Sequence, residues 1–413
     1  MSKFSDAGSF QLTRTFVSPI PDAYADGTDF FGFSLDLYKK KVLIGAYGDD
    51  TGAIDTGIVH LFDVNTGKLL RTFSNPSPDK GDNFGFEVAL NNKYALVGAV
   101  GDDTGAIDTG IAYLFNAKTG KLLQTFTNPN PGDGDRFGAS LALDGNKILI
   151  GSPLNDTEGT DSGIAYLFDA KTGKLLQTFA NPNPGIEGFG ASLSFAGNNK
   201  VAIGAPRAET SPESGVVYIF DIDTGALTQT IPSPTPNDGD SFGFPVEASK
   251  DRVLIGSSRA DTEIANSGIV YLYDASSGEL LQKFENPTPD SGDAFSASVA
   301  IDGNNVVIGA VFDDDAGATN SGAAYLFDAS TGELVQTFLN PTPNQGESFG
   351  IPVDIDKNDI VIGSPFDAIG GSIGSVTLYQ KKPYFSCADG FLGEQNNHLF
   401  GSSLANNLPD ING

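Results

Sequence analysis

The chain has 413 residues and a formal net charge of −28, from 24 basic and 52 acidic side chains. This charge repels nucleic acid and anionic membranes and favours metal cations or cationic ligands, although solubility explains it equally well. No apolar run reaches the roughly 18 residues of a membrane-spanning helix, so we expect no membrane insertion. Residues 1–15 lack the apolar core of a signal peptide, so we expect either a cytoplasmic protein or one exported through a C-terminal signal.

The first predicted element is a strand at residues 10–16, with the alternating pattern Phe-Gln-Leu-Thr-Arg-Thr-Phe. Ser18-Pro-Ile-Pro21 ends it, because proline cannot continue a strand ladder. No strand that could pair with it follows directly, so its partner must lie elsewhere in the chain.

A unit that opens on Phe-Gly then recurs seven times, at steps of 52 to 54 residues. Such a period is typical of solenoids and propellers. The repeated phenylalanines, of which only the sixth precedes Ser instead of Gly, are Phe31, Phe84, Phe137, Phe189, Phe242, Phe295 and Phe349.

Each unit contains four strand-like runs, which in the third unit cover residues 137–143, 147–151, 163–168 and 173–179. Short alternating runs bounded by Gly, Asn, Asp and Pro predict strands. Four antiparallel strands repeated seven times predict an all-β, seven-bladed β-propeller.

The last unit ends after its third strand, near residues 375–379. The unpaired strand at residues 10–16 can therefore complete the last blade, which closes the ring and leaves no long exposed edge. We predict a propeller domain at residues 9–381 and a separate tail at 382–413.

The Phe-Gly openings, together with Ile203-Gly-Ala-Pro206, resemble the FG-GAP repeats of the integrin α-chain propeller and its bacterial relatives. The resemblance covers residues 9–381 and implies a seven-bladed propeller, often extracellular and used for adhesion or ligand binding. Several blades of that family bind calcium between the first and second strands. Here that connection is short, as in Asp144-Gly-Asn-Lys147, so the family's calcium sites are not carried over.

The tail differs in composition from the repeats. Residues 393–407 resemble the lead-in to RTX calcium nonapeptides, but the Gly-Gly-x-Gly-x-Asp core of that repeat is missing. Both a vestigial RTX element and a flexible or blade-packing tail remain open. The tail also holds Cys387, the single cysteine of the chain, so no intrachain disulfide can form.

Strand direction sorts the loops into two ends of the ring. We call face A the end with the loops that precede the first and third strands of each unit, and face B the end with the two hairpin turns. Carboxylates recur in every face A loop, where they either accept backbone N–H groups or bind a divalent cation such as Ca²⁺. The best candidate calcium ligands are Asp49, Asp50 and Asp55 and their counterparts Asp102, Asp103 and Asp108.

Specificity is expected where one unit differs from the other six. The candidate ligand-binding residues selected in this way are Tyr47, Glu87, Arg136, Arg207 and Arg259. The arginines suit a carboxylate, a phosphate or sugar hydroxyls, or they neutralise neighbouring acids. Glu87 lies in a first strand, which lines the central channel of a propeller.

Two functions fit these features. The first is a non-enzymatic binding or adhesion propeller, a monomer that recognises a protein or a glycan through face A, with Ca²⁺ as its one expected cofactor. The second is an enzyme acting on a small molecule, by architectural resemblance to cyanobacterial enzymes that join alkyl halides to phenolic or carboxylate nucleophiles. No catalytic motif assigns its residues.

Overall fold

The computed structural model of the chain describes residues 8–20, 29–185, 187–206, 215–235, 240–368 and 374–382. In these ranges 28 β-strands form seven antiparallel sheets of four strands each. The predicted all-β, seven-bladed fold is therefore confirmed. None of the described residues forms a helix long and apolar enough to cross a membrane.

We number the blades by their Phe-Gly unit and the strands from the centre outward. The first strands are Ser34–Tyr38, Phe84–Leu90, Ser140–Asp144, Ser192–Phe195, Val246–Ser249, Phe295–Asp302 and Val353–Asp356. The second strands are Lys41–Ala46, Tyr94–Ala99, Lys147–Ser152, Lys200–Ala205, Arg252–Ser257, Asn305–Ala310 and Asp359–Ser364. The third strands are Ile58–Asp63, Ile111–Asn116, Ile164–Asp169, Val216–Asp221, Ile269–Asp274, Ala323–Asp328 and Ser375–Lys381. The fourth strands are Leu69–Ser74, Leu122–Thr127, Leu175–Ala180, Leu227–Pro232, Leu280–Glu285, Leu334–Leu339 and, in blade seven, Phe10–Val17.

The blades form a closed ring around a central channel. The first strand of each blade contacts the first strand of the next, and that of blade seven contacts that of blade one. The side chains that the first strands turn inward therefore face one another across the axis, whereas the second and third strands are buried almost throughout.

The repeated phenylalanines form the seams between blades. Phe84 is fully buried in a cluster that joins Leu43 and Val59 of blade one to Tyr113 and Phe115 of blade two. Its ring centroid lies 5.9 Å from that of Tyr113 and 6.0 Å from that of Phe115. Burial of one such side chain stabilises the fold by roughly 1.5–3 kcal/mol, so the seven copies are a large part of the stability of the ring.

The glycines of the repeat allow the backbones of adjacent blades to touch. Gly138, in the Phe-Gly pair of blade three, has φ of 95°, a conformation that favours glycine. A methyl group on Gly98, in the second strand of blade two, would overlap the carbonyl oxygen of Gly138. Where Ser296 replaces the glycine, it keeps a φ of 87° and its Oγ accepts the backbone N–H of Ser257 at 3.0 Å.

The N-terminal strand closes the ring as predicted. Phe10–Val17 pairs antiparallel with Ser375–Lys381. Phe16 contacts Phe62 of blade one, with ring centroids 5.2 Å apart, and the backbone of Phe10 exchanges two hydrogen bonds with the Gln336 amide of blade six. One strand therefore ties blade seven to both of its neighbours.

Candidate functional site

In at least four blades the acid two positions before the repeated phenylalanine fastens a loop on face A. The Oδ2 atom of Asp82 accepts the Asn75 amide and the Asp79 backbone N–H, both at 2.7 Å. Asp135 in blade three and Glu347 in blade seven receive equivalent bonds. Burial raises the pKa of Asp82 to about 6, which the backbone bond and the asparagine amide partly oppose. These acids serve the same structural purpose in several blades.

The candidate calcium residues of blade one also accept hydrogen bonds from their own loop. The Oδ1 atom of Asp49 accepts the N–H of Thr51 at 2.8 Å, and that of Asp50 accepts the N–H of Asp55 at 2.7 Å. Asp55 itself has φ of 53°, a region in which Asp and Asn are common.

Blade two repeats this loop with the sequence Gly-Asp-Asp-Thr-Gly-Ala-Ile-Asp-Thr-Gly unchanged. Asp102 accepts the N–H of Thr104, and Asp103 accepts that of Asp108. Among the described residues, no three His, Cys, Asp or Glu side chains are placed to hold a metal ion. Calcium binding at these loops stays a prediction, which calorimetric titration with Ca²⁺ after chelation would test.

Tyr47 belongs to an aromatic cluster on face A, formed by five side chains of blades one, two and seven. Its ring stacks on Phe30 at 5.0 Å between centroids and meets Phe33 edge-on at 4.6 Å. Phe86 contacts both Tyr47 and Phe33, and Phe366 packs edge-on against Phe30. Burial, together with the charge of Asp55, raises the pKa of the Tyr47 hydroxyl, so Tyr47 stays protonated at neutral pH.

The central channel contains a cavity of about 480 Å³, lined by residues of all seven blades. Its face A end carries Phe33 and Phe86 from the aromatic cluster, the exposed Arg136, and Phe244, which is 45% exposed. Aliphatic residues of the first strands, such as Val88, form much of the wall further in. This volume lies within the range of small-molecule sites.

Four carboxylates from blades one, two, five and seven line the same cavity. They are Asp36, Glu87, Glu247 and Asp354. Glu87 is the third residue after the repeated phenylalanine of its blade, and the other three are the fifth. In those positions the remaining blades carry Ser, Pro or Ala, as at Ser298 and Ala300. These acids therefore lie at positions that vary between blades and are not conserved features of the repeat unit.

Hydrogen bonds hold three of these carboxylates in place. Asp36 accepts the N–H of Leu90, and Asp354 accepts that of Leu37, each at 2.6 Å and across a blade boundary. Glu247 accepts the Ser194 hydroxyl at 3.3 Å. Glu87 accepts no hydrogen bond from any described residue.

The protein raises the pKa of all four carboxylates. Each is half-buried by exposed area, but protein surrounds the channel on every side, so desolvation is the main cause. It raises the pKa of Glu87 to about 8 with help from the charge of Glu247, that of Glu247 to about 7 and that of Asp354 to about 6. The pKa of Asp36 is raised well above its usual range by burial and then by the charge of Asp354.

Of the four predicted ligand-binding residues that the structure describes, two line the cavity. Glu87 lies in the wall and Arg136 at the mouth. Tyr47 lies beside the mouth in the aromatic cluster, and Arg259 is exposed on face A outside the cavity lining. Arg207 falls outside the described residues, as do the tail beyond residue 382 and its RTX-like segment.

Sequence reasoning missed three channel acids and most of the aromatic cluster. Asp36, Glu247 and Asp354 share one position of the repeat, where other blades have Ala or Ser. Phe30 stands where Arg136 stands in blade three. The rule that found Glu87 and Arg136, a departure from the other blades, would have found these residues too.

The comparisons with known proteins agree with this architecture. A family model described as the FG-GAP repeat matches residues 77–115, 122–168 and 282–327, which fall in blades two, three, five and six. No curated protein matches the chain. The chain therefore contains FG-GAP repeats, folded into a seven-bladed β-propeller.

Proposed function

We propose that the chain is a non-enzymatic binding propeller whose ligand, a protein or a glycan, docks on face A over the mouth of the central cavity. The observation that carries this proposal is the aromatic cluster around Tyr47 beside the mouth, together with the exposed ring of Phe244 at the mouth. Aromatic side chains and arginine dominate binding hot spots, and Arg136 lies at the same mouth. A rigid ring suits this role, because it presents loops without strain in the scaffold.

The charge of face A indicates the character of the partner. Acidic loops surround the mouth in the blades that carry Asp50, Asp103 and Asp261. A partner with a positively charged rim would therefore associate faster at low ionic strength, because surface charges mainly change the association rate.

A glycan array, probed with and without Ca²⁺, tests the glycan form of the proposal. The wild type is compared with the double variant Arg136→Glu/Phe244→Ala at the mouth and with Lys174→Glu on a face B hairpin. We expect binding to be lost in the first variant and kept in the second. Binding that survives the mouth substitutions would contradict a site on face A.

Photo-crosslinking tests the protein form. A crosslinking residue at position 244 is expected to capture a partner protein that the same residue at position 174 does not capture. If both positions capture the same proteins, or neither captures any while the array is also negative, the proposed binding function fails.

An enzyme remains the second candidate, because one observation favours it. Glu87 is a carboxylate of raised pKa in an enclosed cavity, a feature that often marks catalytic sites. In an alkylation, a phenol oxygen would form a bond to the alkyl carbon, the halide would leave, and Glu87 would take the phenol proton. Mass spectrometry of a mixture of protein, alkyl halide and phenol, with Glu87→Gln as control, checks this reaction.

A further inference from the structure

We propose that the central cavity binds a linear aliphatic polyamine, whose ammonium groups pair with the channel carboxylates and whose methylene segments pack on the aliphatic wall. The proposal goes beyond the face A partner and does not depend on it. It rests on the placement of the acids, on the cavity wall and on Glu87.

The first argument is the spread of the negative charge. Asp36, Glu87, Glu247 and Asp354 come from four blades, so they approach the cavity from different sides of the ring. Each is close enough to feel the charge of another. Yet no three acidic, histidine or cysteine side chains of the described chain converge as a metal requires. A compact divalent ion therefore does not fit, whereas a flexible chain with several charges reaches separate carboxylates.

The second argument is the surface between the acids. The same wall contains Leu35, Val88, Leu141 and Val299, and the aromatic side chains Phe33 and Phe86 stand at the mouth. Methylene groups pack on aliphatic side chains, and an ammonium group is attracted to the face of an aromatic ring. The wall thus offers apolar surface as well as acids, as a polyamine carries methylene segments as well as ammonium groups.

The third argument is the unsatisfied carboxylate. Glu87 lines the cavity and has no hydrogen-bond partner among the described residues, unlike the other three acids. Among the described residues, the other charged side chains that face the cavity are the three remaining acids and Arg136 at the mouth. No basic group of this part of the chain lies inside the cavity to neutralise Glu87, so a bound cation would supply the missing partner.

The binding of a polyamine should also move protons. In the empty cavity, burial and mutual repulsion keep some of the carboxylates protonated near neutral pH. An ammonium group nearby favours the ionised form. Binding at pH 7 should therefore release protons, and the affinity should rise between pH 6 and pH 8.

Calorimetric titration of the full chain with spermidine, putrescine and butylamine tests the proposal. We expect the affinity to increase with the number of ammonium groups. We also expect the observed heat of binding to differ between buffers of different ionisation enthalpy, because the released protons are taken up by the buffer. Glu87→Gln/Glu247→Gln should weaken spermidine binding by about tenfold or more, since each lost charged hydrogen bond is costly. Glu333→Gln, which removes the same charge from an exposed face B hairpin, should leave binding unchanged.

Three results would overturn the proposal. They are the absence of heat and of a melting-temperature rise with spermidine, equal affinity in the double variant and the wild type, and displacement of spermidine by Mg²⁺ at matched ionic strength. The last two would indicate attraction to the acidic surface alone. The proton-release measurement uses only the wild type, so it decides the question even if the double variant folds poorly. If the wild type binds nothing on the array and captures no partner by crosslinking, but still binds spermidine, the proposed function is rejected and this inference stands.

Discussion

The seams between blades and the central channel both lie at the first strands, but they differ in sequence pattern. The seam residues are repeated in every blade, whereas the channel residues vary between blades. At the seams, the repeated phenylalanine is buried in all seven blades, and the one substitution of its glycine, Ser296, preserves the backbone conformation. In the channel, the third and fifth residues after that phenylalanine change from blade to blade. The repeat therefore specifies the ring, and the departures from it specify what the ring can bind.

The largest expected effect comes from opening the last seam. Deletion of residues 1–20 removes the strand that holds blade seven to blades one and six, including the buried Phe10 and Phe16. Loss of two buried phenylalanines alone costs on the order of 6 kcal/mol, so we expect a large fall in melting temperature. Leu12→Ala, at a residue 47% exposed on the same strand, should have little effect. An unchanged melting temperature in the truncated protein would contradict closure by this strand.

A smaller effect is expected from a single methyl group at a seam. Gly98→Ala should cost about 3 kcal/mol, because the new methyl meets the Gly138 carbonyl and the two blades must separate. Gly134→Ala is the matched control. Its φ of 78° strains alanine, but no atom lies within 4 Å of the new group, so we expect about 1 kcal/mol. Denaturant midpoints compare the two, and equal losses would mean that the seam is not close-packed.

In the channel, substitution should stabilise the ring in a pH-dependent way. The folded chain keeps protons on Glu87 and Glu247 between their ordinary pKa of 4.5 and the raised values of about 8 and about 7. The unfolded chain releases them, so stability is lost as pH rises through this window. Glu87→Gln/Glu247→Gln should therefore raise the free energy of unfolding by about 1–2 kcal/mol at pH 8.5 and by little at pH 4. The gain at pH 8.5 is small because solvent in the open channel screens the charges. Thermal melts at both pH values check this, and the same gain at both would refute the assignment.

The smallest predicted effect concerns His60, a buried residue of blade one that differs from its counterpart in blade six. Burial lowers the pKa of His60 to about 4, and its Nε2 atom has no hydrogen-bond partner among the residues that the structure describes. Because the unfolded histidine binds a proton first, stability is lost as pH falls below 6.5. The equivalent residue in blade six is Tyr325, whose hydroxyl donates to Asp313 at 2.6 Å.

His60→Tyr should therefore remove part of the acid sensitivity, by about 1 kcal/mol near pH 5. Tyr113→His, in the same position of blade two, should introduce it. Denaturant unfolding at pH 5 and pH 7.5 measures both variants. If neither changes the pH dependence, His60 does not titrate on unfolding in this range.

The fold was predictable because the same four-strand pattern recurs in seven units, so a strand that is ambiguous in one unit is identified from the others. The predicted first strand of blade three, residues 137–143, was wrong at its start, since the strand is Ser140–Asp144. The Phe137-Gly138 pair instead forms a turn, with the glycine at positive φ, and buries the phenylalanine in the seam. Hydrophobic alternation cannot distinguish such a turn from the strand that follows it.

The site was only partly predictable, because its residues meet through ring closure. Phe30 and Phe366 are 336 positions apart in sequence, yet their rings lie 5.6 Å apart, since blade seven adjoins blade one. Asp354 and Leu37 meet across the same boundary. Glu87 was identified as a channel residue because it replaces a serine, but the pairing of acids across the axis requires the geometry of the closed ring.

Closure by the N-terminal strand also has a consequence for synthesis on the ribosome. Phe10–Val17 leaves the ribosome about 365 residues before its pairing partner, Ser375–Lys381. At the 5–20 residues per second typical of translation, the strand waits for tens of seconds with both edges unpaired. During that time it is a template for pairing with other nascent chains. Its exposed polar residues, Thr13 and Thr15, and the strong negative charge of the growing chain would limit such contacts until the last blade arrives.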